Sequence, residues 1–235
     1  MKIFVAGTDT DIGKTYITAA LAAILLKRGL HVGVIKWAGT GGAKTNPDIE
    51  YVLEQAAKAR LGPGSRLSVA CPFNFAFPAS PHLSAALENR QIEPEAIMAE
   101  TEKMDRQCDI VLIEGVGGLM VPLRVDLLLI DMIKRVSCPV ILVSRAGLGT
   151  INHTLLSIEA LKNRNVDLMA VVMNSVGVGG KADNTDKRIV KDNCETISKI
   201  SGAMLYGPVP YSSEPIHPGV ASILTPLADQ IVEAF

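Results

Sequence analysis

The chain has 235 residues, and its 23 Lys and Arg residues against 24 Asp and Glu residues leave a formal net charge of −1. A near-neutral chain has no overall field to attract a polyanion, which argues against a protein that coats nucleic acid. Hydrophobic residues make up 48% and charged residues 20%, so the composition is that of a chain with a buried core and not of a disordered segment. We expect one domain over residues 1–235.

The sequence contains four cysteines, Cys71, Cys108, Cys138 and Cys194. No two of them have C-x-x-C spacing, so we expect buried free thiols and not a zinc site or a redox pair. The apolar run at the N-terminus is short and ends at Gly7, unlike a secretory signal. The longest apolar stretch, residues 16–26, is shorter than the roughly 20 residues that span a membrane. These features predict a cytoplasmic protein without a membrane segment.

Short, almost wholly apolar runs bounded by turn residues predict strands that are covered on both faces. In chain order they are Ile3–Ala6, Val32–Ile35, Ile110–Ile113, Val140–Val143, Met169–Met173 and Met204–Tyr206. The helical patterns between and after them are Lys14–Arg28, Asp48–Ala59, Pro94–Arg106, Ile151–Asn163, Asp186–Ile200 and Ala221–Ala234. This alternation predicts an α/β fold in which a parallel sheet carries helices on both faces. Residues 60–93 show no strong period and are predicted to leave the sheet, and residues 175–185 are predicted to form a mobile loop.

Ligands of open α/β sheets bind outside the carboxyl ends of the strands. Here the segments that follow five of the predicted strands are residues 7–15, 36–40, 114–118 and 144–149, and Asn174. Four of these five segments carry a charged group or a glycine-rich turn. This concentration of polar chemistry predicts a functional site at that edge of the sheet.

The first predicted strand runs into GTDTDIGKT, residues 7–15, and then into a helix. Such a turn directs backbone N–H groups and the positive end of the helix at a bound anion. Lys14 would reach the β- and γ-phosphates of a nucleotide, and the Thr15 hydroxyl would bind Mg²⁺. The strict phosphate-loop pattern has glycine where Thr8 stands, so the alternative is an ordinary helix start with a chance Gly-Lys-Thr. The position between strand and helix favours a P-loop NTPase-like fold.

A magnesium ion held by one threonine needs further oxygen ligands, usually carboxylates. Glu114 ends a predicted strand, where an acidic metal ligand of a phosphate-binding fold belongs. Its alternative role, closing the turn before Gly115, is weaker because the apolar run behind it would hold the carboxylate at the tip of the strand. Asp48 begins a predicted helix and is either a second metal ligand or an acid that complements the helix dipole.

Several segments together resemble one family, the dethiobiotin synthetases, which are ATP-dependent ligases of biotin synthesis. The matching segments, in the family's order, are GTDTDIGKT (7–15), KWAGTG (36–41), FPASPHLSA (77–85), EGVGG with the following Pro-Leu (114–123), PVILV (139–143), GLGTINH (147–153), MNSV (173–176) and PVPY (208–211). The clearest departure is Trp37, because the family usually has proline after the lysine.

The resemblance implies that the substrates are 7,8-diaminononanoate and CO₂, with ATP and Mg²⁺. CO₂ would add to one amine to give a carbamate, whose oxygen attacks the γ-phosphoryl group, and the second amine would then close the ureido ring. Both the carbamate and the triphosphate are anions, so positioning and charge neutralisation would supply most of the catalysis.

The resemblance also implies a role for individual residues. Those implied for catalysis are Lys14, Lys36 and Thr10, although a lone Lys36 would otherwise be interpreted as a surface lysine at a strand end. Those implied for the nucleotide are Asp11, Ile12, Gly13, Lys14, Thr15, Tyr16, Glu114, Asn174, Pro208, Val209, Pro210 and Glu214, and those implied for the metal are Thr15, Asp48 and Glu114. Those implied for the substrate are Thr10, Lys36, Thr40 and Pro81, together with Gly149, Thr150, Ile151 and Asn152, which would come from the other subunit of a homodimer. On sequence alone, residues 149–152 are equally well explained as a plain helix cap.

Two other classes of protein compete with this interpretation. A nucleotide-switch ATPase of the ParA/MinD type carries a second lysine in its phosphate loop, where this chain has Asp9. A related amidoligase that acts on a corrinoid precursor carries a following glutamine amidotransferase domain, for which a chain that ends at residue 235 leaves no room. A ligase of the same kind with another diamine or amino acid as substrate stays open.

Overall fold

A computed structural model of the protein describes residues 1–42, 44–59, 61–177, 181–182 and 184–235. Its strands are β1 (Lys2–Gly7), β2 (His31–Lys36), β3 (Ala38–Thr40), β4 (Arg66–Ala70), β5 (Phe73–Phe75), β6 (Ile110–Glu114), β7 (Pro122–Arg124), β8 (Leu127–Leu128), β9 (Val140–Arg145), β10 (Leu168–Asn174) and β11 (Leu205–Val209). Its helices are α1 (Lys14–Lys27), α2 (Pro47–Lys58), α3 (Pro81–Leu87), α4 (Pro94–Asp105), α5 (Leu129–Val136), α6 (Thr150–Lys162), α7 (Lys187–Ser201) and α8 (Pro218–Glu233).

The main sheet has seven strands within the described residues, in the order β11-β10-β9-β1-β6-β2-β4. Every pair of neighbours is parallel. Successive side chains of a strand point to opposite faces, and here each face is covered. Ile3 and Val5 enter one core beneath α1, α2 and α8, while Phe4 and Ala6 enter the other beneath α4 to α7. The predicted fold class, a parallel sheet with helices on both faces, is confirmed.

Most of the surface of helix α1 is buried by the sheet and by neighbouring helices. Its buried residues run almost without interruption from Ile17 to Leu26, as expected of a helix that is apolar all round. It packs against the central strands on one side and against α2 and α8 on the others. The packing of α1 therefore fixes its first residues, Lys14 and Thr15, at the carboxyl end of the central strands.

The prediction that residues 60–93 leave the sheet is wrong for β4. Arg66–Ala70 pairs in parallel with His31–Ile35 as the edge strand. Its side chains are half-buried or exposed, because an edge strand is covered less than a central one, and the apolar run expected of a doubly covered strand is absent. The rest of the segment does leave the main sheet, since β5 pairs with β3 and α3 follows.

Two further features concern the remaining sequence predictions. All four cysteines are free thiols; Cys108 and Cys138 are buried, as predicted, whereas Cys71 and Cys194 are only partly buried. None of the helices within the described residues combines the length and the hydrophobicity that a bilayer crossing requires. The predicted mobile loop, residues 175–185, lies partly outside the described residues; inside them, Val176 and Ala182 form an antiparallel bridge.

Candidate active site

A cavity of about 960 Å³ opens where β1, β2, β6 and β10 end. It brings together most of the residues that were predicted from separate parts of the sequence. The predicted residues that line it are Thr10, Asp11, Gly13, Lys14, Thr15, Tyr16, Lys36, Thr40, Asp48, Pro81, Asn174 and Pro210. The volume is within the range of small-molecule sites in proteins.

The phosphate loop bends sharply before α1 begins. Asp11 has a φ of +55° and Gly13 a φ of +87°, and the left-handed region is strained for a residue other than glycine. A Cβ atom at Gly13 would lie 2.2 Å from Nδ2 of Asn174, so only glycine fits this position. The same Nδ2 donates to the Ile12 carbonyl at 2.9 Å, which ties the end of β10 to the loop.

Four side chains from four different elements form one charged group, which we call the lysine–carboxylate cluster: Thr15, Lys36, Asp48 and Glu114. Nζ of Lys36 lies 2.6 Å from Oδ2 of Asp48 and 2.6 Å from Oε1 of Glu114. The Thr15 hydroxyl is 2.9 Å from the Asp48 carboxylate and 2.7 Å from the Glu114 carboxylate. Lys36 and Glu114 are opposite each other in the β2–β6 register, so the sheet itself places the central ion pair.

Burial makes this cluster different from a surface ion pair. Lys36 is 4% exposed and Glu114 is 1% exposed, so the alternative of a surface lysine at a strand end is wrong. Burial lowers the pKa of Lys36, but Glu114 and Asp48 outweigh it and the pKa lies above its ordinary value. Burial raises the pKa of Asp48, but the Lys36 charge outweighs it and the pKa lies below its ordinary value. Both groups are therefore charged at neutral pH.

Lys14 is a second buried ammonium group near the cluster. Its Nζ donates to the Asp9 carbonyl at 2.7 Å. Burial, together with repulsion from Lys36, lowers the pKa of Lys14 to about 8. A phosphate group brought into the cavity would favour the charged form of this side chain, because an opposite charge nearby stabilises it.

The residues present fit a magnesium ion. Within the described residues, no three His, Cys, Asp or Glu side chains gather as a metal site, but two carboxylates and a hydroxyl meet at Asp48, Glu114 and Thr15. Hard oxygen donors that leave positions for water and phosphate oxygens suit this ion. Asp48, which could have served only the helix dipole, instead directs its carboxylate to Thr15 and Lys36.

Some of the residues implied for the nucleotide lie outside the cavity lining. The side chains of Ile12 and Val209 are buried in the core beneath α1, and Pro208 and Glu214 are exposed. The Glu214 carbonyl accepts the Tyr16 hydroxyl at 3.1 Å. Tyr211, the last residue of the matching segment 208–211, lines the cavity, as do Ser212 and Ser213, which the sequence interpretation missed.

Tyr51 is another lining residue that was missed. A signal for it was present, because it follows Asp48 by three residues on α2 and so shares a face of that helix. Burial raises the pKa of Tyr51 to about 12, so its hydroxyl stays protonated and can donate a hydrogen bond.

The start of α6 does not line this cavity. Gly149, Ile151 and Asn152 line a separate surface depression, the α6 hollow, whose lining comprises Leu148, Gly149, Ile151, Asn152, Leu155, Leu156, Glu159 and Asn193. Thr150 is buried, and its hydroxyl lies 2.8 Å from that of Ser144. Within one chain, this predicted substrate-binding segment and the lysine–carboxylate cluster belong to different sites.

Comparisons with known proteins identify the family of this chain. A family model described as "AAA domain" matches residues 1–217. The ATP-dependent dethiobiotin synthetase BioD of Methanococcus vannielii is 38% identical and aligns with 74% of this chain and 79% of its own length. The protein of the same name from Methanocaldococcus jannaschii is 33% identical and aligns with 87% of this chain and 92% of its own length.

Solved structures show the same fold at low sequence identity. The MinC:MinD cell division complex of Aquifex aeolicus has a TM-score of 0.61 at 16% identity, with 99% of this chain and 96% of that chain covered. Cobyrinic acid a,c-diamide synthase of Mycobacterium smegmatis, with bound ADP and magnesium, has a TM-score of 0.60 at 16% identity, with 99% and 94% covered. These likenesses confirm the P-loop NTPase-like fold, and the sequence identities decide the family. The chain belongs to the ATP-dependent dethiobiotin synthetase family.

Proposed function

We propose that this protein is an ATP-dependent cyclo-ligase that carboxylates 7,8-diaminononanoate with CO₂ and closes the ureido ring of dethiobiotin, with release of ADP and phosphate. The observation that carries the proposal is the buried lysine–carboxylate cluster beside the phosphate loop, in a cavity with room for a nucleotide and a second small molecule. Family membership supports the same activity. We further propose that residues 1–235 act as a single ligase domain in the cytoplasm.

In the proposed reaction two anions must meet. An amine of the substrate attacks CO₂ and loses a proton, which gives a carbamate. A carbamate oxygen then attacks the γ-phosphorus of ATP, and ADP leaves. The second amine attacks the carbonyl carbon of the resulting carbamic–phosphoric anhydride, and inorganic phosphate leaves as the ring closes.

Lys36 and Lys14 supply the positive charge that this meeting requires. Like charges repel strongly in a site from which water is excluded. The two ammonium groups that counter this repulsion come from the carboxyl ends of β1 and β2, the strands on either side of β6. Removal of one such donor typically raises a barrier by about 2.7–4 kcal/mol. Thr10 and Thr40 would donate hydrogen bonds to the carbamate, and Pro81 would contact the substrate from the start of α3.

Thr15, Asp48 and Glu114 would hold the magnesium ion, which when bound would neutralise charge on the phosphate oxygens. Asp11, Ile12, Gly13 and Tyr16 would surround the phosphates, chiefly through backbone N–H groups of the turn into α1.

Asn174 would recognise the adenine edge, since a carboxamide both donates and accepts hydrogen bonds. Pro208, Val209 and Pro210 would complete the base pocket, and Glu214 would contact the ribose.

We also propose a homodimer in which the start of α6 serves the active site of the other subunit. Backbone N–H groups at the start of α6, within residues 149–152, would bind the substrate carboxylate there. The separation of the α6 hollow from the cavity of the same chain supports this arrangement. So do two large apolar side chains at the hollow, Leu148 and Leu156, which are 78% and 61% exposed.

The test is a reconstitution with purified protein, MgATP, bicarbonate and 7,8-diaminononanoate, from which each component is omitted in turn. We expect a ureido product by mass spectrometry, with one phosphate released for each ring formed and no product in any omission. Phosphate release that does not depend on the diamine would contradict the proposal and favour the nucleotide-switch class.

A further inference from the structure

Arg145, at the end of β9, makes contacts with the phosphate loop that the proposed reaction does not yet use. Its Nη2 lies 3.2 Å from Oδ2 of Asp9 and 3.3 Å from the Thr10 carbonyl. Asp9 occupies the position where switch ATPases carry a lysine, and here it pairs with an arginine of the same chain. We propose that Arg145 is a positioning residue, which holds the Asp9–Thr10 dipeptide so that the Thr10 hydroxyl faces the reacting groups. This inference rests on the proposed function.

The polar groups of the dipeptide's backbone are held from three directions. Lys14 donates to the Asp9 carbonyl at 2.7 Å, and the Thr10 N–H donates to Oδ1 of Asp9 at 2.7 Å. Arg145 adds the contact to the Thr10 carbonyl. With both carbonyls and this N–H engaged, the orientation of the peptide planes is determined, and so is the direction of the Cα–Cβ bond of Thr10.

That direction is into the cavity. Thr10 lines it, and a Cβ atom on Gly117 would lie 3.5 Å from Oγ1 of Thr10. The hydroxyl therefore faces the turn after β6, the strand that carries Glu114.

The phosphate loop needs a stabilising contact from outside the loop, because one of its residues has a strained backbone conformation. Asp11, the residue after Thr10, is in the left-handed region with a φ of +55°, a conformation that persists when surrounding contacts determine it. Asp9 is about half-exposed, so the loop is not held by burial. Arg145 lies on β9, a strand of the main sheet, and can supply this stabilising contact from a rigid element.

The experiment compares Arg145→Met with Arg164→Met. Arg164 pairs with Asp131 at 3.2 Å, the same distance as the Arg145–Asp9 pair, and the two arginine side chains are 28% and 29% exposed. The two substitutions therefore remove similar ion pairs, one at the phosphate loop and one away from it.

We expect Arg145→Met to lower kcat about tenfold or more, since a small misplacement of a reacting group has effects of that size. The KM of Arg145→Met for ATP should stay within about twofold of the wild-type value. Arg164→Met should match wild type in both kcat and the KM for ATP.

A double-mutant cycle with Thr10→Val tests the route of the effect. If Arg145 acts through Thr10, adding Arg145→Met to Thr10→Val lowers kcat no further, because residues that act as one unit are not additive. A kcat for Arg145→Met equal to that of Arg164→Met, or fully additive losses in the double variant, would overturn the inference. If Arg145→Met does not fold, Arg145→Gln is measured in the same cycle and judged by the same criteria.

The inference and the proposed function fail in different ways. Wild-type protein that forms no ureido product contradicts the proposed function. Wild-type protein that forms product, with a low kcat in Thr10→Val and no loss in Arg145→Met, leaves the function intact and removes Arg145 as a positioning residue.

Discussion

The lysine–carboxylate cluster and the α6 hollow both contain residues that were predicted to bind substrate, and they differ in how they are assembled. The cluster joins side chains up to 99 positions apart in the sequence, buries its central ion pair and satisfies its charges within one chain. The hollow comes mostly from one local segment. Three of its eight lining residues are leucines, and two of these, Leu148 and Leu156, are more than half exposed. A buried, internally paired cluster can act within a single chain, whereas an exposed apolar surface is characteristic of a contact with another molecule.

The largest expected effect tests the cluster. Lys36→Met should lower kcat at least about 100-fold, because it removes a cation from between two anionic reactants. Nucleotide affinity, measured by titration calorimetry, should stay within a few fold. Lys58→Met is the control, since Lys58 forms an ion pair with Glu54 at the same 2.6 Å but on the exposed face of α2. Near wild-type turnover in Lys36→Met would remove the lysine from the mechanism.

The second test addresses the metal ligands of the cluster. Thr15→Val should weaken nucleotide binding in the presence of magnesium about tenfold, and should have no effect on binding measured with EDTA, because only the metal-dependent part uses the hydroxyl. The control is Thr18→Val on the same helix. Thr18 is buried, and its hydroxyl has no hydrogen-bond partner among the described residues. Equal affinities for Thr15→Val and wild type in magnesium would mean that Thr15 is not a ligand.

The third test moves to the α6 hollow. Leu156→Glu should shift the protein toward monomer in sedimentation experiments, because a charge at an apolar contact is poorly tolerated. It should also raise the KM for the diamino acid severalfold, while nucleotide affinity stays unchanged. Ile200→Glu is the control, because Ile200 is 63% exposed against 61% for Leu156 and lies near the end of α7. A monomeric Leu156→Glu protein with an unchanged KM would show that the hollow serves no neighbouring active site.

The smallest effect concerns Trp37, where the family pattern has proline. Trp37 follows Lys36, is fully buried, and donates to the Thr101 hydroxyl at 3.0 Å. Trp37→Phe should lower the free energy of unfolding by about 1 kcal/mol for the lost hydrogen bond, and by a further amount for the smaller ring in a buried position, with kcat unchanged. In the Thr101→Val background the hydrogen-bond part of this loss should disappear in denaturant unfolding curves. A large loss of kcat would instead mean that Trp37 shapes the active site.

Much of the charged site could be predicted from the sequence, because it depends on local order. An apolar strand followed by a polar turn places that turn at one edge of a parallel sheet, and this was enough to place Lys14, Lys36 and Glu114 near one another. Asp48 could not be assigned in this way. Its two alternatives differ only in where the start of α2 lies relative to β2, which is a property of packing.

The sequence by itself determined the order of six strands of the main sheet and of six helices, the phosphate loop and the likeness to one family, since these depend on periodicity and on contiguous motifs. Only the tertiary structure decided that β4 is an edge strand, that Lys36 is buried between two carboxylates, and that Arg145 reaches Asp9. Such contacts join residues far apart in the chain through the register of the sheet, and no pattern within one segment contains that register.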